Sequence, residues 1–138
     1  MRNNKIFDYI REVRDYAVKK GIKASFHLHI EKSHLMRIGN SSVSLNTSEH
    51  LYRLEIEVLN GKKIGNHTQM GAITSTEYVK KAFDIAVEKA SMAFENNYQP
   101  FLKGPKENIE KSYQYDEKLE NLDSDYKVQF FKKIIMSD

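Results

Sequence analysis

Apolar side chains recur at helical spacing from Lys5 to Lys19. Ile6, Ile10, Val13 and Ala17 form one stripe, and Asp8, Glu12 and Asp15 stand among the charges on the other faces. The pattern predicts an amphipathic helix that Gly21 stops, because glycine accepts the left-handed conformation after a helix end. From Ile22 the period drops to two. Phe26, Leu28 and Ile30 alternate with Ser25, His27, His29 and Glu31, as in a half-buried strand. Leu35 to Ile38 reads as a second, shorter strand that Gly39-Asn40-Ser41 breaks, and Val43, Leu45 and Thr47 alternate again. A longer strand spans Leu51 to Leu59, with Tyr52, Leu54, Ile56 and Val58 on one face and Arg53, Glu55 and Glu57 on the other.

Asn60-Gly61 is the strongest local signal, since both central positions of a type I′ hairpin turn need positive φ. The chain is expected to return through Lys62 to His67. A loop from Gln69 to Ile73 then leads to a second helix. Thr74 and Glu77 have capping-box spacing, and Val79, Ala82, Phe83, Ala86, Ala90 and Phe94 form its apolar stripe. The alanines suit a helix lying close on a sheet. Asn96 to Lys106 holds Pro100, Gly104 and Pro105 and reads as a linker. Asn108 to Leu122 is charged and weakly amphipathic. Ser124 to Met136 predicts a last helix, with Tyr126, Phe130 and Ile134 beside Val128, Phe131 and Ile135. The expected fold class is α+β: a mostly antiparallel, four- to five-stranded sheet packed by an N-terminal helix and a central Ala-rich helix, with a helical C-terminal segment.

At 138 residues, a domain buries about 68–70% of the surface its unfolded chain exposes, so no staple is required. Cysteine is absent, which removes disulfides, a thiolate nucleophile and thiolate zinc ligands. Its absence suits a reducing cytoplasm. The 22 basic and 19 acidic residues give a net charge of +3, and the signs are mixed along the chain. Nucleic-acid binders concentrate positive charge on one face; here Phe130-Phe131-Lys132-Lys133 reads instead as an amphipathic helix end. No segment approaches the roughly 20 apolar residues of a membrane span. Asp8, Glu12 and Asp15 interrupt the apolar centre that a signal peptide requires. The expectation is a cytoplasmic protein that engages neither nucleic acid nor membrane.

Among candidate chemistry, His27, His29 and Glu31 share one strand face, with His34 nearby. Imidazoles at alternate strand positions can share a metal ion, but these residues also read as the solvent face of a half-buried strand. His50 and His67 are isolated. Glu55 and Glu57 share a face and could act as an acid/base pair, though their alternation with apolar positions marks a solvated face. No serine occupies a G-x-S-x-G elbow, and Gly61, Gly65 and Gly71 are spaced for turns, not for a phosphate-binding loop.

The stretch from Gly21 to about Phe101 resembles the N-terminal domain of the TldD/PmbA family, once labelled modulators of DNA gyrase and regarded as metalloprotease-related. The likeness rests on the helix followed by an alternating strand, the turn strand Arg37-Ile38-Gly39-Asn40, and Val58-Leu59-Asn60-Gly61-Lys62-Lys63-Ile64-Gly65 as a V-x-x-G-K/R-x-G-like element. Thr74-Ser75-Thr76 and the alanine-rich Val79 to Ala93 complete it. In catalytic members an H-E-x-x-x-H helix and a distant cysteine of a later domain hold zinc. Neither has a counterpart here, and His29 is followed by Ile30, so the resemblance carries over no catalytic, cofactor-binding or metal residue.

The resemblance implies a family-like N-terminal domain over 1–103, with 104–138 a linker and helical segment leading to an absent C-terminal domain. The implied function is a non-catalytic substrate-chamber or assembly domain of a TldD/PmbA-type peptidase system. No cofactor is expected in this chain. The expected partners are a homo- or hetero-dimeric TldD/PmbA-type subunit and an extended peptide added at a sheet edge, either His34 to Ile38 or Val43 to Thr47. The alternatives are a small metal-dependent hydrolase using His27, His29 and Glu31, or a plain interaction module presenting the Tyr126 to Ile135 face.

Overall fold

Helix α1 (Arg2–Lys19) forms on the predicted stripe and buries Ile6, Val13 and Ala17. It ends as expected at Gly21, where φ is +68°. The Ile22 N–H donates to the Ala17 carbonyl (2.9 Å) and the Gly21 N–H to the Val18 carbonyl (3.0 Å), which satisfies two of the last carbonyls. The computed structural model describes residues 2–98 and 116–136. Most of the Asn96 to Lys106 stretch read as a linker, and most of the Asn108 to Leu122 segment, lie outside the described residues.

Among the described residues the sheet has three strands where four or five were expected: β1 (Lys23–Gly39), β2 (Ser42–Asn60) and β3 (Lys63–Met70), in the order β1-β2-β3. The segments read separately as Leu35 to Ile38 and Val43 to Thr47 are the continuations of β1 and β2. Polar side chains obscured this in the pattern without interrupting the backbone; His34 Nδ1, for example, lies 2.8 Å from Ser48 Oγ across the pair. Gly39-Asn40-Ser41 is correspondingly a hairpin turn, with Asn40 and Ser41 at φ 52° and 59°, the double left-handed signature of type I′.

The second hairpin is present but displaced by one residue. Asn60 pairs with Lys63, so the central positions are Gly61 and Lys62, not Asn60 and Gly61. Gly61 has φ +60° and Lys62 is not in the left-handed region, the pattern of a type II′ turn with glycine first. β2 and β3 run antiparallel from Asn60↔Lys63 to Arg53↔Met70, so Gln69 and Met70 belong to the strand and not to the following loop.

Helix α2 (Thr76–Met92) starts one residue later than the capping-box reading. Ser75 is the N-cap, and its hydroxyl accepts from the Tyr78 N–H at 3.2 Å, so Thr74 and Glu77 make no box. The predicted stripe is otherwise correct: Val79, Ala82, Phe83, Ala86 and Ala90 are buried. Phe94 lies beyond the helix and is 96% exposed. Against the stripe, β2 buries Leu54, Ile56 and Val58, while Phe83 stacks on Phe26 at 6.0 Å and meets Tyr16 edge-on at 6.3 Å.

Helix α2 packs on β3, and α1 packs on α2. The closest approach is at Gly65, which is a buried strand residue and not a turn glycine. A Cβ built there would fall on the Ala86 carbonyl oxygen and the Ala90 backbone. The Lys63 ammonium donates to the Ser91 carbonyl (3.2 Å), and that of Lys89 to the Asn66 carbonyl (3.1 Å), on either side of this contact. The Thr76 hydroxyl donates to Glu12 at 2.6 Å.

The chain divides into two compact units. The described residues of the first are 2–32 and 50–98; those of the second are 33–49 and 116–136. The first holds the core just described. In the second, Ser44 Oγ donates to the Arg37 carbonyl (3.2 Å), and Asn46 Nδ2 donates to Ser124 Oγ (3.0 Å). Its helices are α3 (Glu117–Glu120) and α4 (Ser124–Ile135), capped by Asp116 and Asp123. The predicted last helix is therefore present, but none of this unit's described residues is fully buried.

Because the obstruction at Gly65 is backbone, rotamer changes cannot relieve it. Gly65→Ala is expected to destabilise the protein by about 3 kcal/mol, the upper end for overpacking, measured by urea unfolding. Gly71→Ala meets no neighbour within 4 Å and serves as a comparison, its loss limited to strain at φ +98°.

Candidate functional site

The face of the sheet turned away from the helices, within the first unit, gathers the candidate residues. Alternation places Ser25, His27, His29 and Glu31 of β1 on it, beside Arg53, Glu55 and Glu57 of β2 and Asn66 and Thr68 of β3. Ser25, His27, Glu55, Glu57, Asn66 and Thr68 line an open hollow of about 320 Å³.

Its charges are paired locally. His27 Nδ1 lies 3.4 Å from Glu55 Oε2 across the strands. The other oxygen of Glu55 lies 3.0 Å from Arg53 Nε, aligned as an ion pair but not as a hydrogen bond. Glu55 thus stands between Arg53 and His27, with Glu57 lining the same hollow. His29 Nε2 lies 3.1 Å from Glu31 Oε2. The His27 side chain is 72% exposed, so water screens its pairing with Glu55 and the contact is worth little in stability.

The predicted metal residues share a face without converging. Among the described residues, no group of three histidine, cysteine, aspartate or glutamate side chains is placed to hold a metal ion. No hydrogen bond joins Ser25 to His27, so the Ser25, His27 and Glu55 array lacks the contact that would activate a hydroxyl. His50 packs on Tyr52 with ring centroids 4.5 Å apart, and His67 Nε2 lies 3.5 Å from Gln69 Oε1. Each has a local structural role.

The role of Arg53 was not visible from sequence. Its reach to Glu55 follows from i, i+2 spacing, and the strand's alternation was the available signal. A second hollow, of about 440 Å³, is lined by Gly21, Ile22, Lys23, Asn60, Gly61, Val87 and Ser91 among others. Lys23 is the lysine in its lining, and the C-terminal ends of α1 and α2 lie here, where a cation complements the helix dipoles. Elsewhere, Lys80 donates to Asp84 at 2.8 Å and sits 4.9 Å from the Tyr16 ring centroid. The Asp84 hydrogen bond holds its ammonium above the usual pKa, against a smaller opposing effect of desolvation.

In comparisons with known proteins, no family model, curated relative or solved structure matches the chain. Among the described residues, no helix is long and apolar enough to cross a membrane.

Titrating the chain with zinc is expected to reveal no stoichiometric site. The variant combining His27→Ala and His29→Ala is expected to stay within about 0.5 kcal/mol of the parent in stability, as exposed substitutions do. Stoichiometric zinc that this variant loses would instead establish a metal centre on the sheet face.

Proposed function

We propose that the chain is a non-catalytic binding and assembly domain that receives an extended peptide along the outer edge of β1, as a substrate-chamber domain of a TldD/PmbA-type peptidase system would. The observation that carries this reading is a difference in burial between neighbouring strands. Leu54, Ile56 and Val58 of the central strand are completely buried, whereas Phe26 and Leu28 of β1 face the same core and remain half-buried. β1 is the end strand of the sheet, and among the described residues no strand flanks it.

An added strand would cover that apolar flank with alternate side chains and place the intervening ones beside His27, His29 and Glu31. Main-chain hydrogen bonds supply affinity in this mode, and the alternating surfaces supply selectivity. The charged and polar side chains of β1, from Lys23 through Glu31 and Lys32, disfavour indiscriminate edge pairing. His34 to Ile38, the edge named from sequence, belongs to the same strand. Val43 to Thr47, the other candidate, lies in β2 outside the Arg53 to Asn60 stretch that pairs with β3.

Calorimetric titration with unfolded peptides of alternating apolar and polar residues tests the reading. Binding is expected, and methylating alternate peptide nitrogens along the edge-facing side should abolish it by removing the strand-forming donors. Mixing with a TldD/PmbA-type subunit is expected to give a defined complex. Indifference to both peptide and subunit, or undiminished binding of the methylated peptide, would overturn it.

A further inference from the structure

Helix α4 carries apolar residues on two sides. Val128 and Phe131 are half-buried, and with Ile135 they form one side. Tyr126 and Phe130, one ridge step apart, begin a second stripe that Ile134 continues; their exposures are 57%, 52% and 51%. The Phe130 ring meets Phe131 edge-on, with centroids 5.8 Å apart, which fixes its direction without covering it. A helix apolar on more than one side is normally covered on more than one side.

The charges bordering this stripe say what could cover it. At about 100° per residue, Lys127 and Lys133 fall on its two borders. The acidic residues of the helix lie elsewhere. Asp125 projects to the opposite side, and Asp123 caps the helix by accepting from the Tyr126 N–H at 2.6 Å. Among the described residues of α4, the exposed surface is an apolar ridge between Lys127 and Lys133, with the Asp123 carboxylate at its N-terminal end engaged in the helix cap.

We propose that this face of α4 docks an amphipathic helix of a partner protein whose apolar ridge is bordered by carboxylates. Residues at i, i+4 and i+8 form the kind of ridge that fits the grooves of a second helix. Carboxylates on the partner would meet Lys127 and Lys133, setting its orientation and excluding basic helices. A second copy of α4 fits poorly, because two-fold antiparallel pairing about Phe130 gathers the two copies' Lys127 on one border and their Lys133 on the other. This surface belongs to the second unit.

The test uses the full chain and two synthetic helical peptides with the same leucine stripe, one flanked by glutamate and the other by lysine. The glutamate peptide is expected to bind and the lysine peptide to fail, with affinity falling as salt screens the exposed charges. Phe130→Ala should weaken binding by about tenfold or more, as loss of an aromatic anchor does. Lys127→Glu combined with Lys133→Glu reverses the charge on both borders and should reverse the preference between peptides, circular dichroism verifying that the variant stays folded. Equal binding of both peptides, binding of neither, or a preference unchanged by charge reversal would overturn the proposal. So would uptake onto phosphatidylserine vesicles or self-association that Phe130→Ala abolishes, since each assigns the stripe to a different occupant.

Discussion

The fold of the first unit depends on how closely α2 can lie on β3. At Gly65 no side chain separates strand from helix, and the facing helix residues are Ala86 and Ala90, the smallest that still favour a helix. This spacing lets Phe83 reach Phe26 and Tyr16 and seats the stripe over Leu54, Ile56 and Val58. A bulkier residue in this contact would lift the helix and loosen dispersion contacts across the core, because packed interiors adjust little to extra volume. The lysine bonds to the carbonyls of Ser91 and Asn66 then hold the helix and strand in register.

The opposite sheet face is constrained differently. Its side chains are held by short-range pairing, His27 with Glu55 and His29 with Glu31, in contact with water. Exposed pairs of this kind orient side chains without gathering them into a reaction centre. What distinguishes this side of the molecule is therefore its backbone: an end strand whose core-facing residues are only partly covered.

Where side-chain periodicity alone determined the answer, sequence was a good guide. The α1 stripe, the α2 stripe through Ala90, the alternation of β2 and the α4 helix all appear where the apolar positions placed them. It misled where backbone geometry decided. Polar residues near His34 and Ser48 resemble strand breaks because alternation is weak there, yet strand pairing continues past them. Asn60-Gly61 suggested one turn register, but a type II′ turn needs its glycine first, which moves the turn to Gly61-Lys62. Gly65 resembled a turn residue because a missing side chain leaves no mark of what approaches it. The sequence placed His27, His29 and Glu31 on one face correctly, but cross-strand register alone gave Glu55 its contact with His27.

The clasp between helix and hairpin also bears on the order in which the chain assembles. Arg53 to Asn96 holds a hairpin, a short connection and a helix in succession, and the Asn96 N–H closes the stretch by donating to the Lys62 carbonyl at 2.9 Å. Its internal contacts span modest sequence separations, so each forms with little loss of loop entropy. β1 likewise joins β2 through the short turn at Asn40-Ser41, whereas the contacts of α1 with α2 reach across a far longer chain separation. Docking of α1 therefore closes the longest loop of the first unit and carries its largest loop entropy.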